Sequence, residues 1–312
     1  MRSERLLEVP PPPDEAVERA LFPGFAASMR ATGGAVIRTL RGGSGPPLLL
    51  LHGHPQTHVC WHKIAGRLAE HFTVVLTDLR GYGDSSKPPG GERHENYAPR
   101  ALASDQVTVM RGFGFECFAV AGHDRGGRVA HRMALDYPEA VTRLAVLDIA
   151  PTLTMYERTD KDFATRYVWW FFHIQPAPIP EHLIGMDPEF YLREHLKRQN
   201  KTPGAITDLA LREYLRCYCA SATIHAVLED YRAAAGIGLE LDAADAAAGR
   251  KVAAPLLALW GAKGVVGQTY DVLQTWRERA LDVSGRAVEC GHFLPEEAPD
   301  ATFAALRDYF LR

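Results

Sequence analysis

The sequence predicts an α/β fold: a mostly parallel central sheet flanked by helices, with an inserted α-helical cap. Three observations carry this. Short continuous apolar runs, such as 48–51, read as strands buried on both faces. These runs alternate with segments of helical period, the pattern of a parallel sheet covered on both sides. From Pro151 the strand pattern stops, and the chain reads as helical until it resumes at Pro255.

In chain order, the opening MRSERLLEVPPPPDE lacks the apolar core of a signal peptide. Pro10 to Pro13 read as a stiff polyproline-type arm. Residues 35–40 form an early strand, and a Gly/Pro turn leads to strand 48–51. That strand ends in His52-Gly53-His54-Pro55, a loop, because Pro55 cannot extend a central strand. A helix over 61–71, with Ile64, Ala65, Leu68 and Ala69 on one face, precedes strand 72–76. The Gly-punctuated loop 78–85 follows, then helix 100–113, strand 117–121, helix 129–137 and strand 144–149, with Asp148 near its end. Helical segments over 167–173, 188–197, 208–220 and 224–235 belong to the insertion. Strand 255–260, helix 272–280, strand 286–288, the loop around His292 and helix 299–310 close the chain. The core is therefore expected over 1–151 and 251–312, and the cap over 152–250.

Composition narrows the function. The 312 residues are 46% hydrophobic and 23% charged, with a formal net charge of −3, so no nucleic-acid partner is implied. No apolar stretch reaches membrane-spanning length. Five cysteines form no C-x-x-C pair, which argues against a zinc or redox centre and for reduced thiols in the cytoplasm.

The chemistry concentrates in Gly122-His123-Asp124-Arg125-Gly126-Gly127-Arg128, where a strand turns sharply into a helix. Small residues flank Asp124 as they flank the serine of a nucleophile elbow. Asp124, Asp148 and His292 each sit at or just past a strand end, where ligands bind in open parallel sheets, in the order nucleophile, acid, histidine. Alone, each has an ordinary explanation, such as a helix cap or a satisfied histidine; their joint occurrence points to an α/β-hydrolase fold. A carboxylate is ionised at neutral pH and can attack a saturated carbon directly, giving an ester of Asp124. His292, oriented by Asp148, then activates water against that ester. The backbone N–H groups of His54 and Arg125 are the expected oxyanion donors. Arg125 and Arg128 are three apart on one helix face and suit a substrate carboxylate. The competing reading is a structural ion pair, with Asp84 or Glu157 as partner.

The loops at 52–55, 78–83 and 122–128, with Leu147-Asp148-Ile149, Gln175-Pro176-Ala177-Pro178, Glu229-Asp230-Tyr231-Arg232 and Gly291-His292-Phe293-Leu294-Pro295-Glu296-Glu297, resemble the haloacetate (fluoroacetate) dehalogenases from about residue 22 onward. The resemblance implies cofactor-free hydrolysis of a small anionic halogenated carboxylate, with no metal, in a homodimer. By similarity Arg125 and Arg128 hold the carboxylate, and Tyr231 and Trp170 donate to the departing halide. The family commonly has His before the cap Trp; here it is Trp169, so chloro- or bromoacetate is a better-supported substrate than fluoroacetate. Trp169 reads equally well as cap packing, and His173 as a bystander. The second departure is His54, where the family has an aromatic residue. It puts an ionisable group at the site, able to alter the pH profile or to hydrogen-bond to solvent. The alternative enzyme is an epoxide hydrolase on the same Asp124, Asp148 and His292, with Tyr231 and one of Tyr167, Tyr214 or Tyr218 as acids. A non-enzymatic alternative is a silent ligand-binding α/β-hydrolase.

Overall fold

The computed structural model describes residues 7–312. Residues 1–6, which open the stretch expected to lack a signal peptide, lie outside that range. Eight strands form one sheet: β1 Ala26–Ala31, β2 Val36–Gly42, β3 Pro47–Leu51, β4 Thr73–Thr77, β5 Phe118–His123, β6 Val141–Leu147, β7 Leu256–Gly261 and β8 Val283–Val288. Their order is β1-β2-β4-β3-β5-β6-β7-β8. The β1–β2 and β2–β4 pairs are antiparallel, and every other pair is parallel.

The apolar run of β3 behaves as a strand buried on both faces should. Leu49 and Leu51 pack into the core layer on one side of the sheet, and Leu48 and Leu50 into the layer on the other. Sequence reasoning missed β1. Its Ala-Ala-Ser-Met-Arg-Ala composition is poor in β-branched residues and it lies at the sheet edge, held by pairing rather than by propensity. The helix expected over 61–71 is broken instead. A 3-10 turn, His58–Trp61, is capped by the Thr57 hydroxyl accepting from the Val59 N–H at 3.3 Å, and a short helix, Ala65–Ala69, follows. The last strand begins three residues earlier than expected, because Val283, Ser284 and Gly285 continue the β7 ladder.

Between β6 and β7 the chain runs through helices Thr152–Glu157, Lys161–Arg166, Val168–His173, Ile179–Met186, Pro188–Gln199, Asp208–Tyr218, Ser221–Ala233 and Leu239–Ala247. A π-helical turn, Ala234–Gly238, joins the last two. The proline arm lies along this layer: Leu7 bridges to Ala220, and the Arg216 guanidinium donates to the Pro11 carbonyl. No described helix is long and apolar enough to cross a membrane. All five cysteines are free thiols.

Candidate active site

The elbow between β5 and the helix Arg125–Asp136 is built by close approach. A Cβ on Gly122 would stand 2.3 Å from the Gly126 carbonyl oxygen, so only glycine lets the strand fold back on the helix. At the tip Asp124 has φ 46° and ψ −115°, outside the usual regions for a side-chain-bearing residue. That strain projects its carboxylate away from both elements. Gly53 allows the opposing loop to come near; a Cβ there would lie 2.4 Å from the Asp124 Cβ.

This approach brings the His54 backbone N–H to 2.9 Å from Asp124 Oδ1. Oδ2 is left facing His292, whose Nε2 lies 3.8 Å away, beyond hydrogen-bond range. On its other side His292 Nδ1 meets Asp148 Oδ2 at 2.6 Å, and Asp148 Oδ1 accepts from the Gly261 N–H at 2.8 Å. Asp124, Asp148 and His292 are thus brought together from three separate stretches, all nearly inaccessible to solvent. Burial alone would raise Asp124, but His292, Arg128, His123 and Arg125 outweigh it and hold the carboxylate down at about 2. Burial would lower His292; the bond and charge of Asp148, with Asp124 beyond, raise it above its ordinary value.

The loop carrying His292 is fixed by a residue that sequence reasoning quoted without giving it a role. The Glu297 carboxylate accepts from the N–H groups of Gly291, Phe293 and Lys201, each at 2.8 Å. From beneath, His123 Nε2 donates to the His292 carbonyl at 2.8 Å. Burial, aided by His292, lowers His123 to about 3, so it stays neutral and donates one proton. The signal in the sequence was the Glu pair directly after Gly-His-Phe.

The two arginines part company. Arg125 is in a buried ion pair, its Nε and Nη2 donating to Asp230 at 2.8 and 2.6 Å, and Tyr82 Oη donates to the same carboxylate at 2.7 Å. The partner is neither Asp84 nor Glu157: Asp84 pairs with Arg216 at 2.8 Å. Asp230 lies on the helix Ser221–Ala233, so this pair fastens the helical layer to the elbow. Arg128 has no carboxylate within 4 Å among the described residues. Nη1 donates to Thr152 Oγ1 at 2.9 Å and the Ala150 carbonyl at 3.2 Å, Nη2 approaches Met155 Sδ, and Nε is buried without a partner. Its guanidinium also sits 4.5 Å above the Trp170 ring. Asp230→Ala strands the buried Arg125 charge and the Tyr82 hydroxyl. A loss of about 3–5 kcal/mol in unfolding free energy is expected from urea titration. Removing both charges, as Arg125→Met with Asp230→Leu, should recover most of it.

Tyr231 lies against Arg125, whose guanidinium is 4.7 Å from its ring. Trp170 packs on Tyr156 with ring centroids 4.9 Å apart and the planes tilted by 36°. Trp169 points elsewhere, because successive residues on a helix diverge by about 100°. It packs on His195 at 4.7 Å and Tyr167 at 5.5 Å rather than on Arg128. The His173 ring packs 4.6 Å from Tyr231 and 5.1 Å from His54. With His195, 4.8 Å from His54, it completes a buried histidine cluster. The His54 ring does not reach solvent, and both its nitrogens are buried without a partner. Burial and the neighbouring histidines hold it well below its ordinary value, so it does not titrate near neutral pH. Of the other tyrosines, Tyr214 is committed to Glu296, donating at 3.1 Å. Tyr218 stacks on Tyr191, and Tyr167 stacks on Phe163.

Residues 46–299 match the family model described as the alpha/beta hydrolase fold. The fluoroacetate dehalogenase of a Burkholderia species is 43% identical over 290 residues, 93% of this chain and 95% of that protein. The soluble epoxide hydrolase of Corynebacterium sp. strain C12 is 35% identical, over 86% of this chain and 91% of its own. A crystal structure from Nostoc sp. PCC 7120, described as a candidate α/β hydrolase, superposes with a TM-score of 0.90. It shows 56% identity over 92% of this chain and 98% of that one.

Proposed function

The chain belongs to the α/β-hydrolase family, and from that premise we propose that it is a hydrolase acting on carbon–halide bonds, converting a haloacetate to glycolate and halide. The observation that carries this reading is Arg128. A buried guanidinium that feels the Asp124 charge, but has no carboxylate within 4 Å among the described residues, is costly unless a ligand brings the missing anion. A short haloacid does so and places its α-carbon over Asp124. Arg125 contributes its remaining Nη1 edge, with Asp230 holding the other. A neutral epoxide leaves Arg128 uncompensated.

The chemistry follows from which carboxylate oxygen is free. Oδ1 is held by the His54 N–H, so Oδ2 is the attacking atom. The Oδ2–carbon bond forms as the carbon–halogen bond breaks, its electron pair leaving with the halide. Tyr231 and Trp170 are the donors proposed to receive that ion. Oδ1 is now the ester carbonyl, already on the oxyanion donor it needs, with the Arg125 N–H as the second. His292 takes a proton from water, and the hydroxide adds to Cγ of Asp124. Collapse expels glycolate, which recovers the proton from His292, and Asp148 stabilises the imidazolium in between. Asp124, left as the acid by the added hydroxide, then loses its proton to solvent by way of His292, which restores the carboxylate.

Residues 152–250 act in this scheme as the cap over a core of 1–151 and 251–312. We further propose a homodimer and a cytoplasmic location. The exposed row Ile179, Leu183, Met186 and Phe190 supports the first, and the free thiol of exposed Cys117 the second. Sedimentation showing a monomer at micromolar concentration would exclude the dimer.

Chloride release from chloroacetate, set beside diol formation from styrene oxide, tests the reading. Halide without diol is expected, and diol without halide sinks it. The pH dependence is a second test. Attack by Asp124 needs only the carboxylate, so the single-turnover halide burst should be flat across neutral pH. Ester hydrolysis needs neutral His292, whose raised pKa keeps it protonated at lower pH. Forming the ester removes the Asp124 charge, one of the groups that raise His292, so the base is released as the ester forms. Steady-state kcat should therefore climb with pH while the burst does not. A burst rate that follows kcat would contradict the assignment.

A further inference from the structure

A cavity of about 310 Å³ adjoins the candidate site without touching Asp124, Arg125 or Arg128. It reaches His292, with Asp148 behind, and Tyr167 and Trp169 line it from the helical layer. Its remaining charged lining is all of one sign: Arg166, Arg198, Lys201 and Lys263. We propose that this cavity is an anion-recruiting vestibule, where these cations draw a small carboxylate from solvent and pass it between Tyr167 and Trp169 to Arg128.

The proposal rests on the reading of the substrate as an anion, and independent features support it. The chain carries a net charge of −3, so an all-cationic concavity is a local arrangement rather than a sampling of the average surface. The charges are poorly neutralised. Arg198 and Lys201 have no acid within 4 Å among the described residues; Lys201 Nζ donates to the Arg198 carbonyl at 2.7 Å. Arg166 lies 3.6 Å from Asp162, and Lys263 3.9 Å from Glu289, both of them widely exposed and screened. The one carboxylate in the lining, Asp148, is buried and taken by His292. A concave wall of low dielectric focuses such a field on its interior and raises the local concentration of counter-ions.

The position fits a passage rather than a reaction chamber. Tyr167 lines the cavity, and its ring lies 5.8 Å from that of Trp170, over which the Arg128 guanidinium sits, so Tyr167 stands between the cavity and Arg128. Trp169 is the other side of that partition, with the Arg198 guanidinium 5.7 Å from its ring. The cavity holds far more than a two-carbon acid fills, which suits a place where an ion arrives hydrated and sheds water before the closed site. Trp169, packed on Tyr167 and His195 with Arg198 beyond, thereby has a role at the threshold.

The test uses the intact enzyme with Lys201 and Lys263, whose side chains are exposed and carry no chemistry. Association of glycolate is followed by stopped-flow tryptophan fluorescence, and kcat and KM are measured with chloroacetate. The pair Lys201→Glu with Lys263→Glu should slow association and lower kcat/KM about tenfold, with kcat unchanged at high pH, where His292 is already neutral. Lys201→Gln with Lys263→Gln should fall between, and Lys201→Arg with Lys263→Arg should match the parent. Equal association rates in the Glu pair and the parent overturn the vestibule, as does failure of glycolate to bind the parent at all. Glycolate binding does not depend on turnover. Absence of halide release from the parent is therefore a separate result, which defeats the dehalogenase reading while the association rates still decide the vestibule.

Discussion

Asp124→Asn is expected to eliminate halide release, by about four orders of magnitude or more in kcat, with no burst even in a single turnover. The carboxamide nearly matches the carboxylate in shape, and Asn tolerates φ 46° as well as any side chain. The elbow should fold unchanged, so thermal stability near that of the parent separates lost chemistry from lost structure. What disappears is the nucleophile. Oδ2 is the only Asp124 oxygen not engaged by the His54 N–H, and an amide nitrogen in its place has no electron pair to offer a saturated carbon. Halide release at even a tenth of the parental rate would mean that water, activated by His292, attacks the substrate directly.

His292→Gln has an effect of similar size in steady state but a different form. The first half-reaction needs no base, so halide release should proceed to one equivalent per active site and then stop. Deprotonating water against the ester is worth about 10²–10⁴ in rate, and glutamine cannot do it. Gln is also long enough to reach Asp148, which limits collateral disorder in a loop that Glu297 already holds by three N–H groups. The two variants therefore separate the half-reactions: Asp124→Asn lacks the first, and His292→Gln completes the first and lacks the second.

Much of this was legible in the sequence because local chemistry decides it. The apolar run of β3, the glycines of the elbow and the Gly-His loop after β8 each announce themselves within a few residues. The edge strand β1 does not, since its side chains half face solvent and only pairing with β2 makes it a strand. The arginine pair shows a second limit. Their spacing correctly puts both on one helix face, but which of them is already paired depends on Asp230, 105 residues away on another helix. Trp169 and Trp170 are adjacent in sequence but diverge by about 100° on their helix, and only the fold shows that Trp169 packs on His195 and Tyr167 while Trp170 lies under Arg128. The four vestibule cations come from three separate stretches of chain, around Arg166, Arg198–Lys201 and Lys263, and carry no pattern that could be read before folding.

The central claim, a covalent ester on Asp124, is tested most directly by mass spectrometry of the His292→Gln variant after incubation with chloroacetate. The account predicts one carboxymethyl group per chain, on the peptide containing Asp124, with one equivalent of chloride released. Chloride released in excess of enzyme with no adduct on that peptide would contradict it.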